Sequence, residues 1–531
     1  MSAMDTLAAE KAAIPNADAE SAADCNPASE KTFLTSPVFH IPIKLIARAE
    51  PQESRLPQYR TEFMRDRDRI MYATAFRRLS GKTQIYTVGS DDHKKNRLTH
   101  TLEVSQIART IASALGFDTN LTEAIALAHD FGHTPFGHAG EQILHEIMIP
   151  CSRYVRGSPF YKKTSAEIAK AFEREALTPD QKGSISHLFG FKHNLQSVRV
   201  CALLEDSYRT SAKNAGLNLT NFTLCGIMMH SRIRYNDVDP YPDYQKYFTE
   251  NMSFPGNRGL AWSFEAYIVR CADDIAQWHH DLEDAVREGV LSMKEICQKV
   301  SDALGPALAS ENRDLLNSIT NDDRNNRSNF AKLSHVVVHT LVEDLIEASA
   351  QNFEILSDAL HKKHPDISAE DLFLTYDQLD LPLKKEEVIG YSKVANTDIF
   401  KNIIRECIHH SRNVERMNEK GRYVLRKLFE AYYSHPQQLP DGPIQHIVST
   451  YKDPNAAKGP NIDKPDAHQA EDSAGPNTAS EASIGSIRVA FEKMMENPNI
   501  YLQSLLMRRI CDHIASMTDR YAIDEYTNLY G

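Results

Sequence analysis

The chain has 531 residues, 41% of them hydrophobic and 25% charged, with a formal net charge of -12. That length exceeds what one minimal core needs, so one large domain with insertions and two domains are both open. The acidic balance argues against broad, charge-driven nucleic-acid binding, although a few cations converging on one pocket would still hold an anionic ligand.

In chain order, residues 1–35 read as a disordered tail, rich in Ala, Asp, Glu and Ser and without the basic start and apolar stretch of a secretory signal. No uninterrupted apolar run is long enough to span a bilayer, so a soluble, cytoplasmic protein with no membrane partner is expected. Cys25, Cys151, Cys201, Cys225, Cys271, Cys297, Cys407 and Cys511 are scattered without a CxxC pair, which suits reduced core thiols.

From residue 36 onward the apolar spacing is mostly helical. Leu102, Ile107, Ile111 and Leu115 recur at fours and fives within His100–Leu115, and Asn120 or Thr122 is the expected cap of a helix through Ala124, Ile125 and Leu127. Similar patterns run over Phe264–Leu291, Phe330–Leu360, Val388–Tyr433 and Ile487–Met517. Strand-like alternation is scarce, and neither an internal repeat nor a Gly-rich phosphate loop is present. The expected class is therefore all-α. Residues 36–452 would form the main body, 453–486 a low-complexity loop or linker dense in Pro, Ala, Asn, Asp and Ser, and 487–531 a C-terminal helical segment packed on that body.

The stretch RLTHTLEVSQIARTIASALGFDTNLTEAIALAHDFGHTPFGHAGE, residues 97–141, holds the chemistry. His100, His129, His133 and His138 lie near acidic groups, and the His129-Asp130 step follows the apolar run AIALA. A carboxylate at the end of a buried helix costs several kcal/mol unless it is paired, and a metal is the natural partner. Imidazole and carboxylate without cysteine suit a catalytic divalent ion such as Mn, Fe, Zn or Mg rather than a closed structural zinc site. Downstream, Asp273, Gln277 and Asp281 fall at i, i+4 and i+8, one stripe of a helix, which spacing alone reads equally as a ligand face or a solvated acidic face.

The order His100, His129-Asp130 and a distant Asp273 resembles the H…HD…D pattern of the HD superfamily. The words FRRLSGKTQ, NRLTHTLEVSQIAR, HDFGHTPFGHAGE, ADDIAQWHHDLEDA, FKHNLQSVRV and RRICDHIASMTDRYAIDEY resemble the deoxyguanosinetriphosphate triphosphohydrolase family, from about Ser36 to Tyr526. The resemblance implies an HD-domain helical fold with additional helices. It implies metal-dependent hydrolysis of deoxynucleoside triphosphates, dGTP foremost, to deoxynucleoside and inorganic triphosphate by water attack on the α-phosphorus. His100, His129, Asp130 and Asp273 would be the metal ligands, with Mn or Mg as the ion and Fe, Co or Zn as alternatives.

His138 would then act as general acid or base, oriented by Glu141 at i+3. By the same resemblance, His133 and His193 are further active-site histidines that orient neighbours or contact phosphate. Arg97, at i-3 from His100, would reach a phosphate that also touches the metal. Gln84 and Asp281 would hydrogen-bond the 3′-OH, while Ile85 packs where a ribose 2′-OH would sit. Many relatives carry Tyr where this chain has Gln277, so the sugar or phosphate contact there differs. The family likeness also implies a homo-oligomer with a nucleotide or single-stranded DNA effector. Three readings compete: a dNTP triphosphohydrolase, another HD phosphohydrolase acting on dNMPs or cyclic nucleotides, and a regulatory binder without turnover.

Overall fold

The computed structural model describes residues 35–49, 59–84, 95–149, 190–205, 216–229, 252–287, 289–322, 327–392, 395–403, 412–451, 484–496, 498 and 500–531. The chain is all-α: among the described residues there is no strand, and only three isolated β-bridges occur. No described helix is long and apolar enough to cross a membrane. Cys201, Cys225, Cys271, Cys297 and Cys511 are buried free thiols, while Cys25, Cys151 and Cys407 lie outside the described residues.

The helix that bears the first candidate ligand runs from Arg97 to Leu115. Asn96 starts it by accepting the Thr99 amide, and Gly116, at φ 80°, ends it in the left-handed conformation that glycine adopts at low cost. Its buried face carries His100, Val104, Ile107, Ile111 and Leu115, whereas Leu102 points outward and is 48% exposed. Leu102 sits between the turns that face the core, so its apolarity does not mark the inner stripe.

The next helix, Thr119–Ala128, is capped by Asp118, whose side chain accepts from the amides of Asn120 and Leu121. The expected caps, Asn120 and Thr122, are inside the helix instead. Leu121, Ala124, Ile125, Leu127 and Ala128 are buried, so this helix is apolar almost all round and delivers His129 and Asp130 into the interior. It packs against Arg97–Leu115, Glu62–Tyr72 and Phe264–Arg287. That last helix ends four residues short of the expected Leu291.

Two expected long helices are broken. The pattern over Val388–Tyr433 resolves into Lys385–Val388, Asp398–Ile403 and Arg412–Ser434. The pattern over Ile487–Met517 resolves into Ile484–Met495 and Ile500–Ala515, with Pro498 between them, where the missing amide and fixed φ stop a helix. The first of these helices begins inside the expected 453–486 linker. The remainder of that linker lies outside the described residues, as does the 1–35 tail except for Thr35.

Apolar burial falls into two clusters. The larger runs from Phe39 to Phe400 and includes the inner faces of Glu62–Tyr72, Arg97–Leu115, Thr119–Ala128, Phe264–Arg287 and Arg327–Lys363. The smaller joins Phe136, Ile143, Leu144 and Phe191 to Leu425, Phe429, Leu505, Ile510 and Ile514 of the C-terminal helices. The Gly137–Ile147 helix therefore carries His138 and Glu141 along the seam between the main body and the C-terminal layer.

That seam is pinned by polar staples. Asp519, 2% exposed, accepts the Thr83 amide at 3.1 Å and the Phe136 amide at 3.0 Å, which holds Phe136 at φ 61°. Lys82 is fully buried and donates to the carbonyls of His133 and, at 2.9 Å, Ala515. Buried polar groups survive only when partnered in this way. Both staples hold the turn between His129 and His138 against the last helices.

Candidate active site

Three elements converge on one point. His100 Nε2 lies 3.0 Å from Asp273 Oδ1, and His129 Nε2 lies 3.7 Å from the same oxygen. The donor atoms of His100, His129 and Asp273 all fall within 4.8 Å of one another. Bonds of about 2.1 Å from one cation separate neighbouring ligand atoms by about 3.0–3.4 Å, so this spacing fits a divalent ion. The Phe264–Arg287 helix supplies Asp273; it packs against Arg97–Leu115, and Ala272, Ile275 and Ala276 beside Asp273 are buried.

The electrostatics suit the same ion. His129 is fully buried, and its Nδ1 donates to the Ala126 carbonyl at 2.6 Å, which leaves Nε2 facing the carboxylates. Burial alone would lower this imidazole, yet Asp130 and Asp273 raise it to about 9. A divalent cation supplies the charge that those carboxylates otherwise draw from a proton. Asp273 is held well below the usual carboxylate range: burial pushes it up, but His100 and His129 outweigh that.

Asp130 stands between two groups. Its Oδ1 is 3.4 Å from His129 Nε2 and 3.0 Å from His133 Nε2, while its Oδ2 accepts from Arg97 Nη1 at 2.8 Å. Arg97 is 2% exposed and its Nε has no hydrogen-bond partner among the described residues. The guanidinium is thus anchored on the paired carboxylate with donor capacity left over.

Beyond Asp130 lies an imidazole cluster. His133 and His193 stack at 3.8 Å between ring centroids, and His138 stands 5.8 Å from His133 and 6.2 Å from His193. The expected pairing of Glu141 with His138 is replaced: Glu141 Oε2 takes His193 Nδ1, and Oε1 takes Lys192 Nζ at 3.0 Å. The physical reason is position. His138 occupies the first turn of its helix and is exposed, whereas Glu141 is buried and turned toward the His193–Arg199 helix. Burial would raise Glu141, but His193, His133 and Lys192 hold it below the ordinary range.

Gly132 permits this approach. A Cβ there would lie 2.0 Å from the His193 carbonyl oxygen and 2.3 Å from the Ser197 amide, so only glycine lets the helix lie this close. Ser197 Oγ locks the contact by accepting the Gly132 amide at 2.8 Å and donating to the His129 carbonyl at 2.7 Å.

The remaining expected residues divide. Asp281 is fully buried, and burial with the charges of Asp284 and Asp273 pushes its carboxyl well above the ordinary range, opposed by Gln277 one turn earlier. Gln84 is half-buried, with Oε1 lacking a hydrogen-bond partner among the described residues. Ile85 lies outside the described residues.

A third group escaped the sequence reading. Glu103 Oε2 accepts from His280 Nε2 and, at 3.0 Å, from His279 Nε2, and His280 stands 5.5 Å from His100 between ring centroids. The signal was present: Glu103 follows His100 at i+3, and the word QWHHD places both histidines just before Asp281.

An all-α frame that gathers donor atoms of His100, His129 and Asp273, with Asp130 next to His129, has the layout of an HD-type centre, and the comparisons agree. Residues 97–204 match the HD domain, and residues 392–458 and 488–528 match the phosphohydrolase-associated domain. Asp273 lies in neither matched segment, yet the fold brings it to His100. A "Deoxyguanosinetriphosphate triphosphohydrolase-like protein" of Bartonella quintana is 33% identical over 76% of this chain and 87% of its own length. Similarly named proteins of Azoarcus sp. and Rickettsia rickettsii are 29% and 28% identical, covering 91% and 89% of this chain and 94% and 92% of their own lengths. The chain belongs to the family of deoxyguanosinetriphosphate triphosphohydrolase-like proteins.

Proposed function

We propose that this centre hydrolyses deoxynucleoside triphosphates, dGTP foremost, to deoxynucleoside and inorganic triphosphate. The observation that carries the reading is the convergence of His100, His129 and Asp273 beside the Asp130–Arg97 pair and the His133–His138–His193 cluster. His100, His129, Asp130 and Asp273 would hold a divalent ion, Mn or Mg, which when bound supplies Lewis-acid stabilisation of charge on the innermost phosphate.

The protein's own groups do the rest. Arg97, fixed by Asp130, offers its remaining N–H donors to phosphate oxygens. Water adds to the α-phosphorus as the bond to O5′ breaks, so the water oxygen stays with triphosphate and a proton passes to O5′. His138, exposed at the edge of the imidazole cluster, is placed to move that proton, while His193 is fixed by Glu141 and stacked on His133. For the sugar, Gln84 and the buried Asp281 would hydrogen-bond the 3′-OH, and Gln84 Oε1 and both Asp281 carboxylate oxygens are buried without a hydrogen-bond partner among the described residues.

The test compares dNTPs with rNTPs in the presence of Mn, for the parent protein and for His138→Ala. Turnover of dNTPs only, lost in His138→Ala while bound metal is unchanged, supports the reading. Equal turnover of rNTPs, or persistent turnover in the variant, contradicts the sugar or the proton-transfer assignment respectively.

A further inference from the structure

A cavity of about 620 Å³ opens between the Asp441–Thr450 and Ile500–Ala515 helices, away from the residues assigned above. Arg78, His446, Arg509, Asp512, His513 and Tyr521 line it. Its cationic groups outnumber its one lining carboxylate, and that carboxylate is already engaged. Asp512 accepts from Arg199 Nε at 2.9 Å, from Arg199 Nη2 at 2.8 Å and from Gln196 Nε2 at 3.0 Å.

Arg509 is left with little. It is 7% exposed, and its one side-chain hydrogen bond among the described residues is a 3.5 Å contact to Asp512. Its Nε is buried without a partner, and so is His513 Nε2 one turn further along the same helix face. A guanidinium desolvated this far needs negative charge facing it, and Asp512, 3.5 Å away and shared with Arg199 and Gln196, supplies that charge only in part. The surrounding field points the same way. Burial and the neighbouring Arg199 lower Arg509 to about 10, and burial with Arg509 and Arg199 lowers His446 to about 4.

We propose that this cavity is a second ligand site, which takes a phosphate-bearing anion with Arg509 as its principal contact and Arg78 and His513 beside it. Guanidinium donors match phosphate oxygens in forked geometry, and the cavity has room for more than a single phosphate group. Inorganic phosphates and the phosphate of a nucleotide share this chemistry. The site is coupled to the active centre by construction, because Asp512 also holds Gln196 and Arg199, on the helix whose first residue is His193. The proposal is independent of which nucleotide the metal centre hydrolyses.

Soaking crystals of the full-length protein with inorganic phosphate, tripolyphosphate or a deoxynucleoside monophosphate tests it, alongside calorimetric titration of parent, R509Q and R78Q proteins. The expected result is density for a phosphate group on Arg509 and binding weakened about tenfold in R509Q. Whichever of the three probes gives that density identifies the source. Empty density in the cavity at saturating probe, or equal affinities for parent and R509Q, overturns the proposal. Should R509Q not fold, R78Q decides on an exposed side chain: weakened binding supports the site, and unchanged binding together with an empty cavity overturns it.

Discussion

Asp273 Oδ1 lies 3.0 Å from His100 Nε2, although 173 residues separate them in the chain. On the proposed reading His100, His129, Asp130 and Asp273 hold a divalent cation, so removing one carboxylate charge should weaken its binding. Asp273→Asn keeps the volume and the helix. Bound manganese, measured by mass spectrometry after dialysis, should fall, with affinity weakened more than ~100-fold, since even outer partners of ligands cost ~10–100-fold. Full metal occupancy in this variant would remove Asp273 from the ligand set.

Glu141 and His193 should act as one unit, because the carboxylate takes His193 Nδ1 directly. Glu141→Gln and His193→Ala should each lower turnover by ~10²-fold or more, and the double variant should be little worse than either alone. Multiplicative losses would show that the two groups serve separate roles.

Gly132 is the tightest point behind the site, with a virtual Cβ 2.0 Å from the His193 carbonyl. Gly132→Ala should destabilise the fold by at least ~1–3 kcal/mol, read as a lower denaturant midpoint, because backbone must shift. An unchanged midpoint would mean the His193–Arg199 helix is not seated as described.

These cases show what the sequence made legible. His100, the His129-Asp130 step and Asp273 were readable because each stands in a distinctive word, and the all-α class followed from apolar periodicity. The Glu141–His193 pair was not, since i, i+3 spacing favoured His138 and nothing local says that Glu141 faces a helix 52 residues away. Helix ends failed for local reasons. Asp118 outcompeted Asn120 as a cap, and Pro498 divided one apolar pattern into two helices. Arg509 sat unnoticed in RRICDH because a cavity between distant helices leaves no periodic trace.

Lys82 gives a pH prediction with a definite sign. Burial, with Arg97 and Arg78 nearby, lowers its ammonium from 10.5 to about 7. Below about pH 7 both states are protonated and the folded state bears the whole penalty. Between about pH 7 and 10.5 the unfolded chain binds a proton there that the folded chain lacks, so stability rises with pH by up to ~1.4 kcal/mol per unit. Lys82→Met should flatten that rise when denaturant midpoints near pH 7 and pH 9 are compared. A parallel rise in variant and parent would show that Lys82 stays charged.

The most direct test of the central claim is to incubate the protein with dGTP and manganese in ¹⁸O-labelled water and identify the products by chromatography and mass spectrometry. The account predicts deoxyguanosine and inorganic triphosphate, with the label on triphosphate. Orthophosphate or pyrophosphate as product, or label found on the nucleoside, would contradict it.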